Sequence, residues 1–353
     1  MKKIKLGLAL SGGGACGAYE VGAIKVLAKM GFEPQAVAGT SIGALNGAVV
    51  ATFGMKKAAA RMEKIWMDLC PEKVLQPRPL PSAKTGRSAV GTGTVGTRTA
   101  GTRTAGTHRR LFRIWRPVKP GKNGPTEGTG DFFTRLRQVL TDEAFAIYDE
   151  TPLDNILNSA INLKRLYKGK EFYASAFPGS QGLTGAVADL FDWLLVRGKS
   201  EFFHIQSLSP DKILTVLKAS AAVPLAFPAQ QINGRYYRDG SLGSRNRGNI
   251  PIEPLVACGC THIIAVILET SSRLDRKAWP GVKIVEIRPS TPILPKGNFK
   301  ALLDFCPERI TELIALGETD TLRNKELPQL KREISSLRSP WRRLTAMIRK
   351  KSS

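Results

Sequence analysis

The sequence predicts an α/β protein built on a mainly parallel central sheet with helices on both faces. Three observations predict it. The chain opens as strand, glycine loop and helix: an apolar run over 4–10, then Ser11-Gly12-Gly13-Gly14-Ala15-Cys16-Gly17, then a helical stretch over 18–29. A second strand end, Gln35-Ala36-Val37-Ala38, runs through a tight glycine turn into a small-residue helix over 44–53. Farther along, strand-like runs at 171–177, 262–268 and 283–287 alternate with helical segments at 152–160, 212–219 and 254–259. Strands joined through helices need crossover connections, and these give parallel pairing with both sheet faces covered.

The turn after the second strand is the first chemical signal. Gly39-Thr40-Ser41-Ile42-Gly43 reads G-x-S-x-G. That spacing sets a serine at the apex of a strand-to-helix turn, with glycines where side chains would collide. The hydroxyl then stands over a helix N-terminus, whose dipole favours developing negative charge. Taken alone, the same residues also read as a glycine-punctuated turn with an incidental serine.

The first loop offers bare backbone N–H groups to an anion or an oxyanion. Gly12, Gly14 and Gly17 also satisfy G-x-G-x-x-G, the dinucleotide pattern. That pattern calls for an acidic residue at the end of the next strand. Glu33 has nearly the right spacing but is followed by Pro34, and the strand ends instead in the serine turn. The third signal is Tyr236-Tyr237-Arg238-Asp239-Gly240-Ser241, a strand closing in an Asp-Gly turn. By itself such an aspartate most often caps the turn.

Together, Ser11-Gly12-Gly13-Gly14 with Gly17-Ala18-Tyr19, Gly39-Thr40-Ser41-Ile42-Gly43-Ala44 and Asp239-Gly240-Ser241 resemble the three signature blocks of the patatin-like phospholipases. The run 219–228 resembles the segment leading to the family's aspartate, and Asn249-Ile250-Pro251 the Asn-x-Pro after it. The likeness covers 4–70 and 171–290 in the right order and is of the bacterial type. It implies a three-layer α/β/α fold and a serine acyl-ester hydrolase of the phospholipase A or lysophospholipase kind. It also implies a Ser41–Asp239 dyad and an oxyanion hole from Gly12, Gly13 and Gly14. Gly17, Gly39, Gly43 and Gly240 support the motifs; no cofactor and no metal are implied. Two departures stand out. Cys16 occupies a position where the family usually has Arg or Lys, so a positive charge beside the glycine loop is missing. The interval from Asp239 to Asn249 is long and holds a basic insertion, Ser244-Arg245-Asn246-Arg247. With Cys16 as its warning sign, an alternative reading is a weakly active or inactive member serving as an anionic-membrane-binding module.

Length and charge set the organisation. The 353 residues carry 53 Lys and Arg against 29 Asp and Glu, a formal net charge of +24. Twelve of the basic residues fall in 73–126, which has no acid, and 331–353 carries a further net +7, leaving about +5 for the rest. The expected domains are therefore a catalytic domain from 1–70 and 131–325, a basic low-complexity insertion at 71–130, and a basic tail at 326–353. The insertion contains a five-residue Gly-Thr repeat over 91–108, too rich in glycine and too poor in apolar side chains to fold. The expected partners are a lipid ester and, through segments 73–126 and 331–353, an anionic membrane surface. No nucleic-acid module is recognised, so nucleic acid is not an expected partner.

Other features exclude classes. No run approaches 18 apolar residues, so no spanning helix is expected. Met1-Lys2-Lys3-Ile4 and Ala15-Cys16 imitate export signals, but cleavage there would remove the first strand and the glycine loop. A cytoplasmic protein, peripheral to the inner face of the membrane, is expected. Five cysteines without metal spacing read as free thiols, Cys258-Gly259-Cys260 included. His108, His204 and His262 are dispersed, with no context for a Ser-His-Asp triad.

Further elements complete the reading. A helix is expected over 57–70 with Ile65, Trp66 and Leu69 on one face, and another over 131–140. The apolar segment 186–196 reads as a core helix, or as a lid or acyl-chain wall. Leu111-Phe112-Arg113-Ile114-Trp115-Arg116 reads equally as a membrane-dipping segment or as one packing back on the domain. A long helix is expected over 298–325, ending before Pro328. Ser339-Pro340 starts a last basic helix with Trp341, Leu344 and Ile348 on one face, either an interfacial anchor or a docked charged tail.

Overall fold

Five consecutive buried residues, Leu6–Leu10, form β1, and their alternation supplies two cores. Leu6, Leu8 and Leu10 point into a large apolar cluster on one sheet face, while Ala9 joins a smaller cluster on the other. A strand buried on both faces belongs to the interior of a parallel sheet. β1 lies there, between β2 (Ala36–Thr40) and β7 (His262–Val266), parallel to both. The remaining strands are β3 (Glu171–Pro178), β4 (Glu201–His204), β5 (Gln230–Ile232), β6 (Arg235–Asp239) and β8 (Lys283–Ile287). The order is β5-β6-β3-β2-β1-β7-β8, with β4 also on β3. β2–β3 and β7–β8 extend the parallel set; β3–β4, β3–β6 and β5–β6 are antiparallel.

This computed structural model describes residues 4–78, 146–194, 198–243, 248–294 and 299–336, with only the backbone described at 190–194, 299 and 300. The chain divides into two units, Met1–Pro79 with Leu140–Ser353, and Leu80–Val139; the second lies wholly outside the described residues. So do the repeat at 91–108, the hexamer at 111–116, the helix expected over 131–140, the insertion at 244–247 and the tail helix from Ser339.

Helices α1 (Ala18–Lys29), α2 (Ile42–Phe53), α3 (Met55–Met67), α4 (Thr151–Ala160), α5 (Gly182–Leu194), α6 (Pro210–Ser220) and α7 (Pro307–Arg323) surround the sheet. α1, α2, α3, α6 and α7 bury their apolar sides in the larger cluster. The short helix Glu253–Ala257 covers the opposite face through Leu255, with Ile250 and Ile252 beside it. The expected three layers around a mainly parallel sheet are present.

Two expectations need correction. The helix expected over 298–325 is a 3-10 segment, Phe299–Leu303, followed by α7 from Pro307; a proline fits the first turn of a helix but not its interior. Pro328 likewise sits in the first turn of a further helix, 326–336, rather than ending one. Asn324 Oδ1 accepts the N–H groups of Glu326 and Leu327 at its start, and Leu327 and Leu330 are fully buried. Strands β4 and β5 were not anticipated.

Candidate active site

The serine turn is set by backbone crowding. A Cβ on Gly43 would run into the carbonyl oxygens of Leu10 and Ser11, and one on Gly39 into the backbone of Gly43 and Ala44. Glycine at both positions lets β1, β2 and α2 meet around one point. Ser41 occupies that point with φ 53° and ψ −126°, a conformation costly for a non-glycine residue. Its N–H is held by Ser220 Oγ at 2.9 Å, from the end of α6. Its Oγ donates to Asp239 Oδ2 at 2.6 Å, and both residues are buried.

Asp239 is the last residue of β6, opposite Ala176 of β3. Its Oδ1 accepts the Ser241 N–H at 2.8 Å, so one carboxylate oxygen faces the turn and the other faces Ser41. The turn-capping role and the contact with the serine are thus held by the same side chain. The neighbouring Arg238 is buried and anchors the strand from its other side. It pairs with buried Asp189 at 2.8 Å and donates to the carbonyl oxygens of Ser180 and Gly182. Complete burial raises the Asp239 carboxyl above the usual aspartate range, while its bonds from Ser41 and Ser241 pull it down. At Gly240 any Cβ would strike Ser175 Oγ, so glycine is required to bring the two strands this close.

The first glycine loop forms the facing wall, and Gly12, Gly13 and Gly14 line the same cavity as Ser41 and Asp239. Ser11 Oγ accepts the Leu268 N–H at 2.9 Å and ties the loop to the end of β7. The sequence-based set of three oxyanion donors narrows here: the Gly12 N–H is already given to Asn249 Oδ1 at 2.8 Å. The N–H groups of Gly13 and Gly14 make no hydrogen bond among the described residues. Gly17 ends the 3-10 turn Gly14–Gly17, and its carbonyl accepts from Asn46 Nδ2.

Cys16 does not stand beside the reacting groups. It is buried, outside the cavity lining, with its thiol against the Ile293 carbonyl at 3.4 Å; burial pushes that thiol up to about 11. Arg309 donates to the same Ile293 carbonyl at 3.3 Å, so a guanidinium does lie close behind the loop. Glu33, the acid weighed for a dinucleotide ribose, instead meets the start of α3 at the Met55 N–H and pairs with Lys170 at 2.6 Å. His204 and His262 are absent from the cavity lining, and His108 lies outside the described residues.

The cavity over Ser41 measures about 940 Å³, near the upper end of the roughly 300–1,000 Å³ usual for ligand pockets. Its walls come from α2 (Leu45, Val49), α3 (Met62, Trp66), α4 (Ile156, Leu157) and the segment 221–227. Asp239 and Glu269 are the charged residues lining it; no Lys or Arg does so among the described residues. α5 forms over the segment read as core helix or acyl wall, but none of its residues lines the cavity among those described. Among the described residues the wall is made by α2, α3, α4 and the segment 221–227. Sequence reading passed over the roles of Ser220 and Asn249, though both lie in the blocks near Asp239, and over the cavity itself.

A family model described as patatin-like phospholipase matches residues 8–256. The chain belongs to the patatin-like phospholipase family. Shorter matches join it to fungal proteins: Lysophospholipase nte1 of Aspergillus terreus is 46% identical over 69 residues, 17% of this chain. Lysophospholipase NTE1 of Mycosarcoma maydis is 41% identical over 71 residues, 18% of this chain. The chain spans 4% of the length of each. Among solved structures, VipD from Legionella pneumophila is similar at 13% identity and TM-score 0.37, over 90% of this chain and 67% of that one. The type III effector protein ExoU is similar at 17% identity and TM-score 0.38, over 94% of this chain and 54% of that one.

Proposed function

We propose that the protein hydrolyses lipid carboxylic esters through a covalent acyl-enzyme on Ser41. The observation that carries this reading is the 2.6 Å Ser41–Asp239 hydrogen bond at the base of an apolar cavity. The acyl chain lies along the wall of α2, α3 and α4, with its carbonyl carbon over Ser41. Asp239 takes the Ser41 proton as Oγ attacks, and the carbonyl oxygen gains its negative charge facing Gly13 and Gly14. The proton passes to the departing alcohol or lysolipid. Water then attacks the acyl-enzyme with Asp239 as base, releasing the fatty acid and restoring Ser41. A solvated aspartate near 3.9 is a weak base for a hydroxyl. Burial of Asp239 acts against that weakness, and the direct contact places the base at the proton it takes.

The apolar side chains of α2, α3 and α4 that line the cavity support an apolar acyl group as the recognised part. The binding-module alternative took Cys16 as its sign of weak catalysis; that thiol lies against the Ile293 carbonyl and not in the cavity lining, so hydrolysis is preferred. Docking on an anionic membrane surface, from the cytoplasmic side, remains part of the proposal; its support is the charge of 73–126 and 331–353. No helix among the described residues is long and apolar enough to cross a membrane.

The test is release of fatty acid from monoacyl and diacyl glycerophospholipids by wild type and Ser41→Ala. Hydrolysis by wild type and its loss in a folded Ser41→Ala protein is the expected result. Retained hydrolysis in that variant would rule the mechanism out. Co-sedimentation with anionic vesicles, with and without 337–353, tests the docking; unchanged binding without the tail would remove it from the proposal.

A further inference from the structure

A second cluster of reactive side chains lies at the opposite ends of the parallel strands from Ser41. Ser41 follows the C-terminal end of β2, whereas Lys5 and Cys260 precede β1 and β7, and Glu171 begins β3. Cys258 and Cys260 flank Gly259 just after the helix Glu253–Ala257. Gly259 has φ +87°; its N–H returns to the Val256 carbonyl and the Cys260 N–H to the Leu255 carbonyl, each at 2.9 Å. These two bonds make a Schellman closure, which passes the chain through one left-handed residue. The cysteines on either side of that residue are thereby folded towards each other, with Sγ atoms 3.8 Å apart.

The two thiols differ in setting. Cys258 is partly buried, while Cys260 is buried over Gly7 of β1. Lys5 donates to the Cys258 carbonyl at 2.7 Å and pairs with Glu171, so an ammonium group stands beside the outer thiol. Tyr173, stacked on His204, also faces Cys258. The Cys260 thiol and the Lys5 charge hold Cys258 below the ordinary thiol range; its role as that donor, with burial, holds Cys260 well above. A partly exposed outer sulfur beside an ammonium group and a buried inner sulfur 3.8 Å from it are the complementary parts of a dithiol that oxidises in two steps.

We propose that Cys258 and Cys260 form a redox-active pair that reacts with hydroperoxides and closes to an intramolecular disulfide. The Cys258 thiolate attacks the terminal peroxide oxygen and the O–O bond breaks. The leaving oxygen takes up the proton that the thiol gave up, departing as water or an alcohol. Cys258 is left as a sulfenic acid. The Cys260 sulfur then attacks the Cys258 sulfur, the S–O bond breaks, and the hydroxyl leaves as water with the Cys260 proton. Two electrons pass from the dithiol to the peroxide. Bond formation requires the sulfurs to close to about 2.0 Å.

The test uses the full chain, treated with equimolar hydrogen peroxide, alkylated and mapped by mass spectrometry. The peptide carrying both cysteines is expected to lose two hydrogens and resist alkylation before exposed Cys306 is modified. In Cys260→Ser, Cys258 is expected to be trapped by dimedone as a sulfenic acid. In Cys258→Ser, Cys260 is expected to stay reduced, with a thermal melt confirming the fold of each variant. Alkylation of both wild-type cysteines after Cys306 has been oxidised would overturn the proposal. So would failure of dimedone to label the Cys260→Ser protein, or oxidation yielding only disulfides between chains.

Discussion

Ser41 Oγ donates to Asp239 Oδ2 at 2.6 Å, although the two residues lie 198 positions apart. The bond joins a strained turn at the end of a parallel strand to the end of a strand running the other way. If Ser41 is the nucleophile and Asp239 its base, Ser41→Ala and Asp239→Asn each lower kcat/KM by about 10³-fold or more, since members of one catalytic unit fail together. The double variant is expected to be no worse than either single one. Fatty-acid release, with melting curves to confirm folding, measures this.

The acid limb of activity reports Asp239. The carboxylate must be ionised to take the proton, and burial raises its carboxyl above the ordinary aspartate range. Activity therefore rises with pH through a midpoint above about 3.9. The kcat/KM profile of an uncharged ester measures it; a midpoint at or below that value contradicts the assignment.

Asn249 holds the glycine loop through the Gly12 N–H at 2.8 Å. Asn249→Ala releases this bond and loosens Gly13 and Gly14, and kcat is expected to fall by about 10- to 100-fold with KM little changed. Asn249→Asp keeps an acceptor at the same place and should recover part of the loss. Steady-state kinetics of the two variants separates positioning from simple damage to the fold.

Glu20 is a buried acid under the cavity wall. Its Oε2 accepts from Asn46 at 2.8 Å, its Oε1 has no partner among the described residues, and Asn46 in turn accepts from Trp66 at 3.0 Å. Burial raises its folded-state pKa well above the usual glutamate value. Its contribution to stability is therefore full below the unfolded-state pKa near 4.3 and declines as pH rises towards the folded value. Glu20→Gln removes that decline. The variant should melt higher than wild type at pH 8, with the difference closing towards pH 4; thermal melts across that range check it.

Much of the fold was legible because its cues are local. The 12-residue helix after Ser41, the strand ending at Asp239 and the strands at 262–266 and 283–287 are marked by apolar runs and turn residues within a few positions. β4 and β5, at 4 and 3 residues, are too short to show a period, and pairing with β3 and β6 makes them strands. The Ser41–Asp239 pairing came from the resemblance of three motif blocks, and the two side chains do meet. The use of the Gly12 N–H was not legible, since it depends on Asn249, 237 residues away. Nor was the cavity, whose walls come from segments far apart in the chain. Cys16 shows the limit of motif comparison: a position beside the loop in sequence points into the core in space.

The cavity wall should set chain-length preference. Ile156 on α4 lines it and is only partly buried, so Ile156→Trp shortens the space at modest cost to the core. The variant is expected to shift its preference towards shorter acyl chains, read as kcat/KM over a series of esters of one alcohol. An unchanged series would move the acyl site elsewhere.

The most direct measurement is covalent labelling with a fluorophosphonate, followed by mass mapping of the adduct. Folded wild type is expected to carry one adduct on Ser41, with labelling lost in Ser41→Ala and strongly slowed in Asp239→Asn. A well-folded wild type that takes no label, or an adduct on another residue, would contradict an activated serine at this site.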